Sequence, residues 1–252
     1  MKNLKIPAEC KNIIPDNWLS GILGKEVYRI IADDFFIGEL KDKKSSDYAL
    51  MKDLRAKQVF MYAKVAPDSL EHIRVLQKQS FYLVDTNILF EKPVSSHKEA
   101  QQHDGIRFAV PADEEQVAEL AGKSFKYSRF HLDSAFTPDV ANTIKAEWAR
   151  NYFKGKRGDA MVVALDSDKV IGFAQLLKFK NGLLTIDLIA VDAGYRGKGV
   201  ARGMISYAES RCEGAKKITV GTQLANTSSI LCYEKMGFRL SGSNYVFHYH
   251  NQ

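Results

Sequence analysis

Cysteine is scarce in this chain. Its three residues, Cys10, Cys212 and Cys232, are an odd number at no regular spacing, which argues against a disulfide framework and against a zinc site. Long apolar runs are missing too. Runs such as Leu183 to Val191 are broken by polar residues and fall well short of the roughly 18 residues that a membrane helix needs, so no membrane partner is expected. Residues 1–15 have no continuous apolar stretch, because Lys2, Lys5, Glu9 and Lys11 interrupt them; without a secretory signal the expected location is the cytoplasm. Nor does one sign of charge dominate. The formal charge of +6 suits a phosphorylated small molecule as readily as a polyanion, and nucleic acid is not implied. His248 and His250 share one face of a strand, but two ligands do not make a metal site, and none is expected.

An apolar fraction of 45% and a charged fraction of 26% are near globular averages, which excludes disorder and fibrous repeats. The polar stretch 93–104 lacks apolar periodicity and reads as a linker between a small N-terminal α/β domain, 1–92, and a larger domain, 105–252. In the first, Val27 to Ile31, Gln58 to Val65 and Phe81 to Phe90 read as strands, and Ser69 to Gln79 as a helix. Lys41 to Asp47 reads as a solvated loop. In the second, Ala160 to Leu165, Val170 to Leu177 and Leu183 to Val191 read as an antiparallel meander. Helices are expected after Pro111, over Asp139 to Phe153, from Lys198 and over Thr227 to Met236, with strands at Lys217 to Thr222 and Tyr245 to Tyr249. The fold class is therefore α/β in the α+β sense: a mixed, mostly antiparallel sheet flanked by helices.

Between the third meander strand and the next helix lies Arg196, Gly197, Lys198, Gly199, Val200, Ala201. Small residues here let backbone N–H groups approach an anion, and the unpaired amides and positive end of a new helix favour negative charge. Arg196 and Lys198 can add charge-assisted bonds. The turn lacks the Gly-Lys-Ser/Thr ending of an ATP-binding loop, and an antiparallel meander is not a dinucleotide fold, so on the turn alone a diphosphate site and a tight strand-to-helix connection with solvated basic residues both stay open.

Ile189, Ala190 and Val191, followed by Tyr195 and the Arg196 to Ala201 turn, resemble the acetyl-CoA signature of the GNAT superfamily of N-acetyltransferases. A later block, Asn226, Ser229, Tyr233, Glu234, Lys235, Gly237 and Phe238, resembles that superfamily's last motif at the right distance. The resemblance implies that acetyl-CoA is the cofactor and that it is held by Ile189, Ala190, Val191, the Arg196 to Ala201 turn, Asn226, Ser229 and Tyr233. It further implies that Ile189 and Val191 offer main-chain bonds to the pantetheine arm, that the Ile189 amide faces the thioester oxygen, and that the Tyr233 hydroxyl faces the coenzyme sulfur. A phenol with a reference pKa of about 10 is protonated at neutral pH and can donate to a departing thiolate. A core tyrosine packed on the sheet is the alternative. Cys232 has no histidine near it in sequence to activate it as a nucleophile.

A narrower resemblance covers nearly the whole chain. Phe81, Leu83, Val84 and Asp85, then Ser128, Arg129, Phe130 and Asp133, then Trp148, and later Thr222, Gln223, Asn226 and Thr227 are similar to residues of the bacterial dTDP-fucosamine acetyltransferases. Those enzymes modify a TDP-linked amino sugar and also carry a small α/β domain before the GNAT domain. The resemblance implies a nucleotide-linked amino sugar as acceptor, similar to a TDP-4-amino-4,6-dideoxyhexose, bound by Ser128, Arg129, Phe130, Asp133, Trp148, Thr222 and Gln223, with Asp85 near the amine. Arg129 suits a diphosphate or a surface ion pair, Phe130 and Trp148 suit a ring platform or plain core, and Asp85 suits proton transfer or a turn. A protein N-terminus, a lysine or a polyamine as acceptor, a non-catalytic acetyl-CoA sensor, and assembly as a homodimer all stay open.

Overall fold

Ten strands and eight α-helices are formed by the described residues, 10–94 and 105–251, of the computed structural model. In chain order they are β1 (Ile13–Pro15), α1 (Asn17–Leu23), β2 (Glu26–Ile30), α2 (Asp34–Glu39), α3 (Ser46–Arg55), β3 (Val59–Val65), α4 (Leu70–Lys78) and β4 (Tyr82–Pro93), then β5 (Ile106–Phe108), α5 (Glu114–Ser124), α6 (Pro138–Phe153), β6 (Ala160–Asp166), β7 (Lys169–Lys178) and β8 (Leu183–Val191), then α7 (Val200–Arg211), β9 (Lys217–Gln223), α8 (Thr227–Lys235) and β10 (Arg239–His250). The chain divides into two compact units, Met1–Asn87 with Ser243–Gln252, and Ile88–Gly242. The division differs from the expected 1–92 and 105–252 at both ends. Its first boundary falls inside β4, and the second half of β10 returns to the first unit. The expected linker lies outside the described residues from residue 95 on, as do residues 1–9.

In the first unit β2 and β3 run parallel, with Glu26 opposite Val59 and Ile30 opposite Ala63. β1 is antiparallel to β2, and Tyr245 to His250 of β10 are antiparallel to β3. Their inner faces bury Ile30, Met61, Ala63 and Phe247 against Phe36, Met51 and Leu54 of the helices. The solvated loop expected at Lys41 to Asp47 ends earlier than the charge pattern implied. The Ser45 hydroxyl accepts from the Tyr48 amide and starts α3, so Asp47 sits in a helical first turn and is buried. α1, with seven residues, is too short to show a helical period in the sequence, and its start is set by a side-chain cap: Asp16 accepts from the Leu19 amide at 3.0 Å.

In the second unit the strands lie in the order β4, β9, β8, β7, β6, β5. From β5 to β8 each strand is antiparallel to the next, whereas β8 and β9 are parallel and therefore need the α7 crossover between them. α5 and α6 cover one face, where Val117, Leu120 and Ala149 meet Met161, Val163 and Phe173. α7 and α8 cover the other, where Met204, Ile205, Ala208 and Tyr233 meet Val162, Ala174, Leu176 and Ile218. Each fully buried large side chain among these contributes roughly 1.5–3 kcal/mol. Packed on both faces, the meander is a rigid support for whatever leaves the ends of β8 and β9. No helix among the described residues is long and apolar enough to cross a membrane.

Candidate active site

The pairing of β8 with β9 runs from Leu183 opposite Lys217 to Ile186 opposite Val220 and then stops. Pairing with β7 continues five residues further, to Val191 opposite Gly172. The two parallel strands therefore part at their C-terminal ends. The Asp192 amide donates to Ile171 O at 2.8 Å, so by alternation Ala190 turns its backbone groups to β7 while Ile189 and Val191 turn theirs to the opening. Arg196 Nε donates to Val191 O at 3.1 Å, as that direction requires. Asp187 is the extra residue of a β-bulge just upstream, where Leu188 pairs with Gln175 but Ile186 with Leu176. Its buried carboxylate accepts from Arg157 Nε at 2.6 Å, from Trp148 Nε1 at 2.9 Å and from Gln175 Nε2 at 3.2 Å, which fixes the bulge.

Past β8, the Asp192 side chain accepts from the Gly194 amide and begins the turn. Gly197 and Gly199 then adopt φ of +76° and +84°, the left-handed region that a Cβ disfavours. Gly199 is the N-cap of α7 and no side chain caps that helix, so its first amides remain available to a ligand. Arg196 is anchored to Val191 O and, at 3.3 Å, to Ser124 O.

A cavity of about 620 Å³ opens at the split. From the expected coenzyme set it is lined by Ile189, Ala190, Val191, Arg196, Gly197, Gly199, Val200, Ala201, Asn226, Ser229 and Tyr233. Lys198 does not line it; its ammonium lies 5.0 Å from the Tyr195 ring centre instead. Asn226 is the N-cap of α8, accepting from the Ser229 amide and from the Ser228 hydroxyl. Tyr233 is 6% exposed, with its ring between Phe90 at 6.0 Å and Phe238 at 5.7 Å. Burial, aided by Cys232, pushes its pKa above the ordinary phenol value, so it stays protonated. Burial also raises the Cys232 thiol, against the pull of Arg202 and Lys235, which keeps it a poor nucleophile.

Of the expected acceptor set, Ser128 and Gln223 line this cavity and Arg129, Phe130, Asp133, Trp148 and Thr222 do not. Phe130 is 1% exposed and packs edge-on to Phe136 at 5.6 Å, as core packing would have it. The Trp148 ring has Lys145 at 4.9 Å and Arg157 at 5.1 Å from its centre. Asp133 accepts from the Ala135 amide within its own turn. The Arg129 guanidinium lies 4.5 Å from the Phe130 ring centre. Asp85 belongs to the first unit, buried in β4. Sequence reasoning passed over Lys126, Tyr127 and Arg202, which also line the cavity. Arg202 had a signal, being one turn into a helix whose first residues were already singled out.

A split parallel pair, an uncapped helix start and a protonated phenol thus meet around one cavity. Residues 125–238 match the acetyltransferase (GNAT) family. Over 235 residues, 92% of this chain and 80% of the relative, the sequence is 31% identical to the spore coat polysaccharide biosynthesis protein SpsD of Bacillus subtilis. It is 23% identical over 184 residues, 73% of this chain and 78% of the relative, to the dTDP-fucosamine acetyltransferase of Escherichia coli O6:H1. Among solved structures, a GCN5-related N-acetyltransferase from Sphaerobacter thermophilus shares the fold with a TM-score of 0.56 at 15% identity, covering 82% of this chain and 66% of that one. The chain belongs to the GNAT family and is an acetyltransferase.

Proposed function

We propose that this acetyltransferase moves the acetyl group of acetyl-CoA directly onto the amine of a nucleotide-linked amino sugar. What supports the coenzyme assignment is that one cavity gathers the free edge of β8, the uncapped start of α7 and Tyr233. On this reading the free edge at Ile189 and Val191 would bind the pantetheine arm, the uncapped α7 amides with Arg196 and Arg202 at the cavity wall would bind the diphosphate, and Tyr233 would lie at the thioester end. Bound there, acetyl-CoA supplies an activated carbonyl. The Ile189 N–H donates to the oxygen as charge develops on it, and Tyr233 gives its proton to the departing sulfur.

The amino-sugar acceptor is supported by two relatives whose names speak of polysaccharide biosynthesis and of fucosamine acetylation. Ser128 and Gln223 are the acceptor-side groups that share the cavity with the coenzyme residues. Asp85, Arg129, Asp133 and Thr222 are carried as acceptor residues by the resemblance alone. Release of coenzyme A thiol with a panel of amines tests the acceptor. A TDP-linked amino-dideoxyhexose is expected to exceed spermidine and a lysine peptide in kcat/KM by about 10²-fold or more, because a site built around polar groups rejects acceptors that leave them unpaired. Equal or better turnover of spermidine or the peptide contradicts the amino-sugar reading while leaving the coenzyme site intact.

A further inference from the structure

A hydrogen-bonded chain leads away from the cavity wall at Ser128. Ser128, which lines it, has its Oγ 2.6 Å from His131 Nδ1, and His131 Nε2 is 3.0 Å from Asn142 Oδ1. Two backbone bonds from the amides of His131 and Leu132 to Ser128 O close the turn that brings the imidazole back over the hydroxyl. Asn142, on the rigid α6, holds the far side of the ring. The donor and acceptor roles follow from the types of group. An amide oxygen only accepts, so Nε2 carries the imidazole hydrogen. Nδ1 of the neutral ring then accepts, and the Ser128 hydroxyl donates to it. The serine oxygen keeps its lone pairs for a donor in the cavity.

We propose that Ser128, His131 and Asn142 form the proton relay that deprotonates the acceptor amine. The inference rests on the acetyl-to-amine reading above and names a part of the mechanism that reading leaves open. An amine reaches an enzyme at neutral pH mostly as an ammonium ion, which has no lone pair to attack with. Its N–H donates to Ser128 Oγ. The serine hydrogen passes to His131 Nδ1 as the ammonium proton moves onto Oγ, and the imidazolium formed is held by Asn142 Oδ1 and later releases the proton to solvent. The freed lone pair forms the C–N bond as the C–S bond breaks. The second nitrogen proton lost in forming the amide balances the one that Tyr233 delivers to sulfur.

The local environment suits a resting base. Burial holds the His131 pKa below its ordinary value, against the bond from Asn142 and with help from the positive charge of Lys145, so the ring is neutral at pH 7 and able to accept. Ser128 touches the acceptor and is the catalytic residue of the three; His131 and Asn142 act through it.

The test compares wild type, Ser128→Ala and His131→Gln between pH 6.5 and 9.5 with acetyl-CoA and a TDP-linked amino-dideoxyhexose. Both variants are expected to lose about 10²-fold in kcat at pH 7 with the KM for acetyl-CoA unchanged. Their deficit should shrink as pH rises, because solvent then deprotonates the amine without help. A deficit constant with pH, or a His131→Gln rate within about twofold of wild type, overturns the relay. Independent of substrate and of variant folding, the ¹⁵N shifts of His131 in the wild-type protein at pH 7 are expected to report a neutral ring protonated at Nε2; a ring protonated at Nδ1 overturns it equally. Should wild type acetylate no amine at all, the acceptor reading fails, while the nitrogen shifts still decide the hydrogen-bonded chain.

Discussion

Tyr233→Phe is expected to lower kcat by about 10²-fold while leaving the affinity for acetyl-CoA within about twofold. The substitution removes one oxygen and keeps the ring that packs against Phe90 and Phe238, so the core of the second unit is preserved. What it takes away is a hydroxyl that burial keeps protonated well beyond neutral pH, available to a thiolate that otherwise leaves without a proton. A thioester still binds by its diphosphate and its pantetheine arm, neither of which needs the phenol. Steady-state kinetics beside calorimetric titration separate the two quantities. A mutant that turns over as fast as wild type removes Tyr233 from the chemistry, and one that merely loses coenzyme affinity makes it a packing residue.

Ile189→Pro should cost about 10²–10³ in kcat, equivalent to about 2.7–4 kcal/mol, the usual loss when one donor to a developing oxyanion is removed. Proline inside a sheet normally forfeits a ladder bond. At Ile189 the amide points to the gap beyond the last β8–β9 pair, so β7 loses nothing. Circular dichroism and the melting temperature check that the strand survives. A folded Ile189→Pro protein with wild-type kcat would show that the thioester oxygen finds its donor elsewhere. Ile189→Val, which keeps the amide, is the control and should stay near wild type.

How much of this was legible in the sequence follows from the range of each interaction. β8 was read with its observed bounds and the meander around it nearly so, because alternation and turn residues are local signals. The turn at Gly197 and Gly199 was legible because left-handed backbone demands glycine whatever surrounds it. Other features lie outside local pattern. Phe130 and Trp148 have residue types that suit a ligand platform and a core equally, and the Phe136, Lys145 and Arg157 that surround them come from contacts no local pattern contains. Lys198 has the charge for a phosphate, yet the turn directs it over Tyr195. The return of residues 243–252 to the first unit depends on pairing Tyr245 with Val65, a contact 180 residues apart that no window of sequence contains. His131 went unnoticed for a similar reason: its partner Asn142 lies on another element, and the pair has meaning only once α6 is in place.

In the proposed function the cavity at the split of β8 and β9 holds acetyl-CoA. Titrating the full chain with acetyl-CoA while following its melting temperature tests it most directly. At a concentration near 100 times Kd, binding to the native state adds about 2.7 kcal/mol, which for a chain of this size raises Tm by roughly 5–10 °C. That rise, saturable and accompanied by spectral changes confined to the β8 end, the following turn and α8, is the predicted result. A melting temperature unmoved by millimolar acetyl-CoA would contradict the account.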